Sequence, residues 1–140
     1  MNGAGVSKDE TVATEWFRKS AEQGYAGAQC SLGERYMYCR PEVKDPHTAV
    51  EWFRRAADQN FGNAQYHLAV AYELGIGVAK EAEIAVEWYR KAADQGNREA
   101  QRNLGGCCLR GIGMDRDEEA GVDWHRKAAA QRFFLRIRFG

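Results

Sequence analysis

The chain has 140 residues, about one domain's worth, with twenty basic and twenty acidic side chains that cancel. That balance excludes a nucleic-acid binder built on a basic face. No apolar run approaches the roughly 20 residues that span a bilayer, so no membrane insertion is expected. Hydrophobic residues make up 44% of the sequence, enough for a core, and two prolines suit a helical chain. Met1 to Glu10 hold no apolar leader, and Cys30, Cys39, Cys107 and Cys108 follow no shared spacing. Together these features read as a cytoplasmic protein whose thiols are reduced and behave as small hydrophobes.

One period runs along the chain. Trp16, Trp52, Trp88 and Trp124 are 36 residues apart. The same step connects Arg18, Arg54, Arg90 and Arg126, then Ala21, Ala57, Ala93 and Ala129, then Gln23, Gln59, Gln95 and Gln131. A second segment of each unit carries Gln29, Gln65 and Gln101 together with Leu32, Leu68 and Leu104. A match over this many columns marks an internal repeat, and each unit reads as a tryptophan helix followed by a glutamine helix.

In chain order, Gly3-Ala4-Gly5-Val6 matches Gly75-Ile76-Gly77-Val78 and is predicted to be a loop. Asp9 then stands in the cap column of the first tryptophan helix, which stops at Gly24. A glutamine helix follows over about Ala26 to Tyr38. Beyond it, Cys39-Arg40-Pro41 replaces the Gly-x-Gly of the later loops. Proline fixes φ near −65°, so Pro41 is not a copy of a glycine at positive φ and the loop changes its path. The next tryptophan helix begins at Asp45 and Pro46, an acidic cap followed by proline at the first helical position. Its residues Ala49, Val50, Trp52, Phe53, Ala56 and Ala57 form a helical stripe, and Asn60 stops it. Glutamine helices over Gly62 to Leu74 and Arg98 to Arg110 alternate with tryptophan helices capped by Glu81 and Asp117. Gly33, Ala69 and Gly105 put a small residue at one level of each glutamine helix, where a neighbouring helix could come close. After Gln131 the pattern breaks into an apolar and basic tail containing Phe133, Phe134, Leu135, Ile137 and Phe139.

The sequence therefore predicts an all-α fold, a right-handed α/α superhelix (solenoid) of about three and a half helix-turn-helix repeats of 36 residues. It forms one domain, 1–140, phased 3–38, 39–74, 75–110 and a partial 111–140. Both ends of the array read as uncapped.

The runs Ala49-Val50-Glu51-Trp52-Phe53-Arg54-Arg55-Ala56-Ala57, Asn63-Ala64-Gln65-Tyr66-His67-Leu68 and Tyr72-Glu73-Leu74-Gly75-Ile76-Gly77-Val78 resemble the Sel1-like repeat family, a relative of the tetratricopeptide repeats. The resemblance covers nearly the whole chain. It implies an α/α solenoid of the kind that commonly serves as an adaptor assembling protein complexes. A cysteine-rich branch of that family staples each helix pair with a disulfide and is associated with β-lactam binding and hydrolysis. Its cysteines would fall at Ala21 and Gln29, Ala57 and Gln65, and Ala93 and Gln101, none of which is cysteine here. The enzymatic association is therefore not carried over.

For function, the sequence favours a non-enzymatic scaffold or adaptor that binds an unidentified peptide or protein. The resemblance places the groove on the glutamine helices, which selects Cys30, Glu34, Met37 and Tyr38, then Tyr66, Val70, Glu73 and Leu74, then Arg102, Gly106, Leu109 and Arg110. These columns vary between units while the packing columns do not, and their Tyr, Met, Leu and Arg suit an interface. A plainer reading of the same columns is a solvated inner face. Trp124, Phe133, Phe134, Leu135, Ile137 and Phe139 form a second candidate, a self-association surface giving a homo-oligomer through open ends. A β-lactam-hydrolysing enzyme and a self-assembling structural fragment stand behind the scaffold as less favoured functions.

Trp16, Trp52 and Trp88 are read as packing. Glu15, Glu51, Glu87 and Asp123 are read as partners of the basic residues three and four positions later, in solvated helical pairs. No cofactor, metal or catalytic residue is assigned. His47, His67 and His125 occupy different phases of the repeat, and neither His-Glu-x-x-His nor Cys-x-x-Cys occurs.

Overall fold

Among the described residues the chain winds into seven helices. They are α1 (Ala4–Glu22), α2 (Ala26–Tyr38), α3 (Pro46–Asp58), α4 (Gly62–Leu74), α5 (Ala82–Asp94), α6 (Arg98–Arg110) and α7 (Glu118–Phe139). The computed structural model describes the backbone of residues 4–39 and 44–139 and the side chains of residues 12–39 and 44–131. No strand occurs among the described residues. The Pro41 loop lies outside them.

Asp45 and Asp117 work as start signals, whereas Asp9, read in the same cap column, lies inside α1, which begins at Ala4. The Asp45 carboxylate accepts from the Thr48 N–H at 3.2 Å and from the Thr48 hydroxyl at 2.7 Å, with Pro46 in the first turn of α3. Asp117 accepts from the Ala120 N–H at 3.0 Å, whereas Glu81 makes no side-chain cap bond. The backbone on either side of the connections is clamped alike. Asp45 N–H donates to the Tyr36 carbonyl at 2.8 Å, Glu81 N–H to Tyr72 at 2.9 Å and Asp117 N–H to Cys108 at 2.8 Å. The first junction thus keeps the register of the others even though its sequence holds a proline.

The stops also behave as read, with Gly24, Asn60 and Gly96 all at positive φ. Gly77 is needed for two reasons. Its φ is +76°, and a Cβ there would strike the carbonyl oxygen of Pro46. The segment at Gly5 departs from the prediction: Ala4 to Val6 belong to α1 rather than to a loop.

Each glutamine helix packs most extensively on the tryptophan helix that follows it, α2 on α3, α4 on α5 and α6 on α7. The small-residue column makes this possible. A Cβ on Gly33 would lie 2.7 Å from the Phe53 ring, and one on Gly105 would collide with the His125 ring. The core runs without a break from Cys30 to Cys108, and Phe53, Leu68, Tyr89 and Leu104 are fully buried within it. Each such side chain contributes about 1.5–3 kcal/mol by leaving water.

The glutamine columns build a second device. Gln29 donates to the Ala21 carbonyl at 3.1 Å, Gln65 to Ala57 at 3.4 Å and Gln101 to Ala93 at 3.2 Å. Their amide oxygens in turn accept from Gln59 at 2.9 Å, Gln95 at 2.6 Å and Gln131 at 2.8 Å. Burying an amide costs free energy unless its hydrogen bonds are made. Here each buried glutamine fastens its own unit and receives a bond from the next.

Candidate functional site

The opposite edges of α2, α4 and α6 carry the columns selected as a groove. Tyr38 and Leu74 are 60% and 59% exposed, far above the usual level for such side chains in a core. Glu34, Arg102 and Arg110 are exposed as well, while Tyr66, Val70, Glu73, Gly106 and Leu109 are half-buried. Cys30 and Met37, expected on the groove surface, are instead buried in the core. They stand seven residues apart, two turns along the side of α2 that faces the rest of the array.

Between α2 and α4 these columns converge. His67 Nε2 lies 3.1 Å from Glu34 Oε1, and its Nδ1 lies 3.1 Å from the Tyr38 hydroxyl. The Cys30 thiol donates to the same Glu34 oxygen at 3.7 Å. Phe53 stacks on the imidazole, with centroids 4.8 Å apart and planes 15° from parallel, and Tyr66 leans against its other flank at 5.3 Å. One ligand atom from each of Cys30, Glu34 and His67 falls within 4.8 Å of the others. No linear metal motif marks this cluster in the sequence. The available signal is Cys30 and Glu34 at i and i+4 on one helix face, with His67 one repeat further on.

Burial sets the protonation of this group. Desolvation pulls the His67 pKa below its ordinary value against the opposing pull of Glu34, so at neutral pH the imidazole is uncharged. Desolvation also holds the Tyr38 phenol above its usual pKa, so it stays protonated. The arrangement is then a relay of three groups. Tyr38 O–H donates to His67 Nδ1, and His67 Nε2–H donates to Glu34. Burial, with Glu34 beside it, pushes the Cys30 thiol up to about 12.

The junction between α4 and α6 is built from other residues. Tyr89 O–H donates to Glu73 at 2.5 Å and accepts from Asn103 Nδ2 at 3.3 Å. Asn103 occupies the column of His67. Arg102 turns to Glu99 at 2.7 Å. Cys107, the neighbour of Glu73 here, is pushed up to about 11 by burial and that carboxylate.

On the far side of each unit, the tryptophans do less packing than predicted. Trp16 is 69% exposed, lining an open cleft with Ala13, Phe17, Gly27 and Ala28. Trp52, Trp88 and Trp124 are half-buried, and Arg55, Lys91 and Lys127 lie over their faces at 4.6, 4.4 and 4.4 Å. Arg55, Lys91 and Lys127 therefore meet rings rather than the carboxylates read as their partners. Arg18 donates to the Tyr36 hydroxyl at 2.7 Å, and Arg54 donates to that of Tyr72. An indole face offers a cation more than a hydrated carboxylate does at such exposure. Trp124 thus sits as Trp88 does, against the core. The side chains of Phe133, Phe134, Leu135, Ile137 and Phe139 lie outside the described residues.

All four cysteines are free thiols. Among the described residues no helix is long and apolar enough to cross a membrane.

Comparison with known proteins places this architecture. The family model described as Sel1 repeat matches residues 1–25, 26–61, 62–97 and 98–133, cutting the same period before each glutamine helix. The chain is similar to the crystal structure of a Sel1 repeat protein from Oxalobacter formigenes, with 35% identity over 84% of this chain and 89% of that one, at a TM-score of 0.81. It is also similar to a protective antigen of uropathogenic Escherichia coli strains displaying an SLR fold, with 42% identity over 84% of this chain and a TM-score of 0.80. The match spans 25% of that antigen's length. Helicobacter pylori cysteine rich protein B shares the fold at 24% identity, covering 89% of this chain and 90% of that one, with a TM-score of 0.70. The search of curated proteins found no match.

Proposed function

Because the chain belongs to the Sel1 repeat family, we propose that it is a non-enzymatic scaffold that holds a peptide or protein segment along the groove face of α2, α4 and α6. Proteins of this family are generally interaction scaffolds. The observation that carries the finer reading is the division of labour between columns. The glutamine, leucine and small-residue columns are spent on the core and the ladder. The column of Tyr38, Leu74 and Arg110 stays exposed, flanked by half-buried Tyr66 and exposed Arg102. Exposed aromatic and aliphatic side chains beside arginines supply the large contact area and bidentate donors that dominate interface energetics. Cys30 and Met37 act from behind this surface, as support.

A direct test immobilises the chain and captures its partner from the source cells. It then compares retention by the wild type, by Tyr66→Ala combined with Arg102→Ala, and by Lys91→Ala on the tryptophan side. The groove reading expects at least a ~30-fold loss of affinity in the double variant, about the loss of a single hot-spot contact. It expects no change for Lys91→Ala, with matching far-ultraviolet dichroism throughout. Equal retention by the wild type and the double variant would overturn the groove assignment.

A further inference from the structure

We propose that Cys30, Glu34 and His67 form a binding site for a zinc-like divalent cation on the groove face between α2 and α4. Sulfur and imidazole donors select borderline-soft transition ions over magnesium or calcium, and one carboxylate completes a ligand set known from zinc chemistry.

The spacing fits. For Zn–S near 2.3 Å and Zn–N or Zn–O near 2.0–2.1 Å, a tetrahedron has ligand-to-ligand edges of about 3.3–3.8 Å. Glu34 Oε1 lies 3.7 Å from Cys30 Sγ and 3.1 Å from His67 Nε2, and the set closes within 4.8 Å. Entry of an ion requires Cys30 Sγ and His67 Nε2, which lie within 4.8 Å of each other, to close by up to about 1 Å through side-chain rotation, while Glu34, whose side chain is 46% exposed, opens slightly from His67. Cys30 and Glu34 are one helical turn apart on a rigid helix, and His67 comes from the next unit, so the fold brings all three together.

The surroundings of His67 are those a metal-bound imidazole needs. Its second nitrogen is held by the Tyr38 hydroxyl and its ring by the Phe53 stack. Such outer partners fix ring orientation and tautomer. Burial keeps the imidazole neutral, the form that offers a lone pair. On binding, Cys30 releases its thiol proton to solvent. The His67 proton moves from Nε2 to Nδ1, where it is donated to the Tyr38 oxygen. Three protein ligands leave a fourth position open on the exposed side, for water or for a donor atom of a docked segment.

The junction between α4 and α6 lacks this chemistry, because Asn103 replaces the histidine. The site therefore belongs to one junction and is not a property of the repeat.

The experiment titrates the reduced full chain with Co²⁺ and follows the sulfur-to-cobalt charge-transfer band and the visible d–d bands of four-coordinate cobalt. The expected result is one ion per chain, displaced by Zn²⁺. Cys30→Ser abolishes the charge-transfer band. His67→Gln and Glu34→Gln weaken binding at least ~10-fold, and Tyr38→Phe weakens it about 10-fold through the lost outer partner. Cys39→Ser changes nothing. Dichroism reports folding, and if Cys30→Ser fails to fold, the His67 and Glu34 variants decide. No cobalt spectrum from the folded wild type overturns the site. So does a spectrum untouched by these substitutions, which would assign the ion to other thiols. No partner is present in the assay, so its outcome is independent of the scaffold reading.

Discussion

The junction of α2 with α4 and the junction of α4 with α6 share a frame and differ in everything set on it. Behind both, a glutamine donates to a carbonyl of its own unit and accepts from the next, at the same sequence spacings. In front, the first presents Glu34, His67 and Tyr38 against Phe53, while the second presents Glu73, Tyr89 and Asn103. The difference teaches that register and surface are separately encoded. Bonds made by constant columns hold one unit to the next, so the groove columns are free to take polar, aromatic or metal-binding residues without loosening the array.

The most severe way to break this comparison is Phe53→Ala, because Phe53 serves both layers. It fills the notch at Gly33 and stacks on His67. Its loss is expected to cost about 3–5 kcal/mol in urea unfolding, as for other buried aromatics. Next come Gln65→Ala and Gln101→Ala. Each removes two hydrogen bonds, one to a carbonyl that keeps its backbone N–H donor and one from the next unit's glutamine, and at about 0.5–1.5 kcal/mol per bond each should cost roughly 1–3 kcal/mol. Gln65 also donates to Asn60, where the other rung has Gly96, so Gln65→Ala should be the costlier of the two; a reversed order would show that the ladder is not a repeated unit of stability. The smallest effects belong to the two hydroxyls in front. Tyr89→Phe removes the short bond to Glu73 and should cost about 1 kcal/mol. Tyr38→Phe, at an exposed site, should stay within about 0.5 kcal/mol. Equal costs for these two hydroxyls would erase the distinction between the junctions.

Much of the frame was legible because it repeats. The 36-residue step located α2 to α6, the Asp45 and Asp117 caps, and the left-handed stops at Gly24, Asn60 and Gly96, while α1 begins earlier than expected and α7 runs past the break expected after Gln131. The glutamine column was visible as a column, but its role was not, since a hydrogen bond spanning thirty residues leaves no trace in helical periodicity. Period also gives a residue's angle around its helix and not its depth. Cys30 and Met37 therefore read as groove residues and are buried, and Trp16 read as packing and is exposed. The charge columns misled in a related way. Spacing alone pairs Glu51 with Arg55, whereas Trp52 offers that arginine a closer and less hydrated face. The His67 cluster was illegible for the opposite reason. Comparing units column by column sets His67 beside Ser31 and Asn103, whereas its partners in space are Glu34 and Tyr38 of the preceding unit.

The ladder has a consequence for how such a chain lengthens. Each buried glutamine brings a donor for its own hairpin and leaves an acceptor waiting for the next. A duplicated 36-residue block inserted at any junction would find the bond it needs already offered, and would offer the same to its successor. Lengthening by gene duplication then continues the ladder, and the new copy's exposed columns are at once available for divergence.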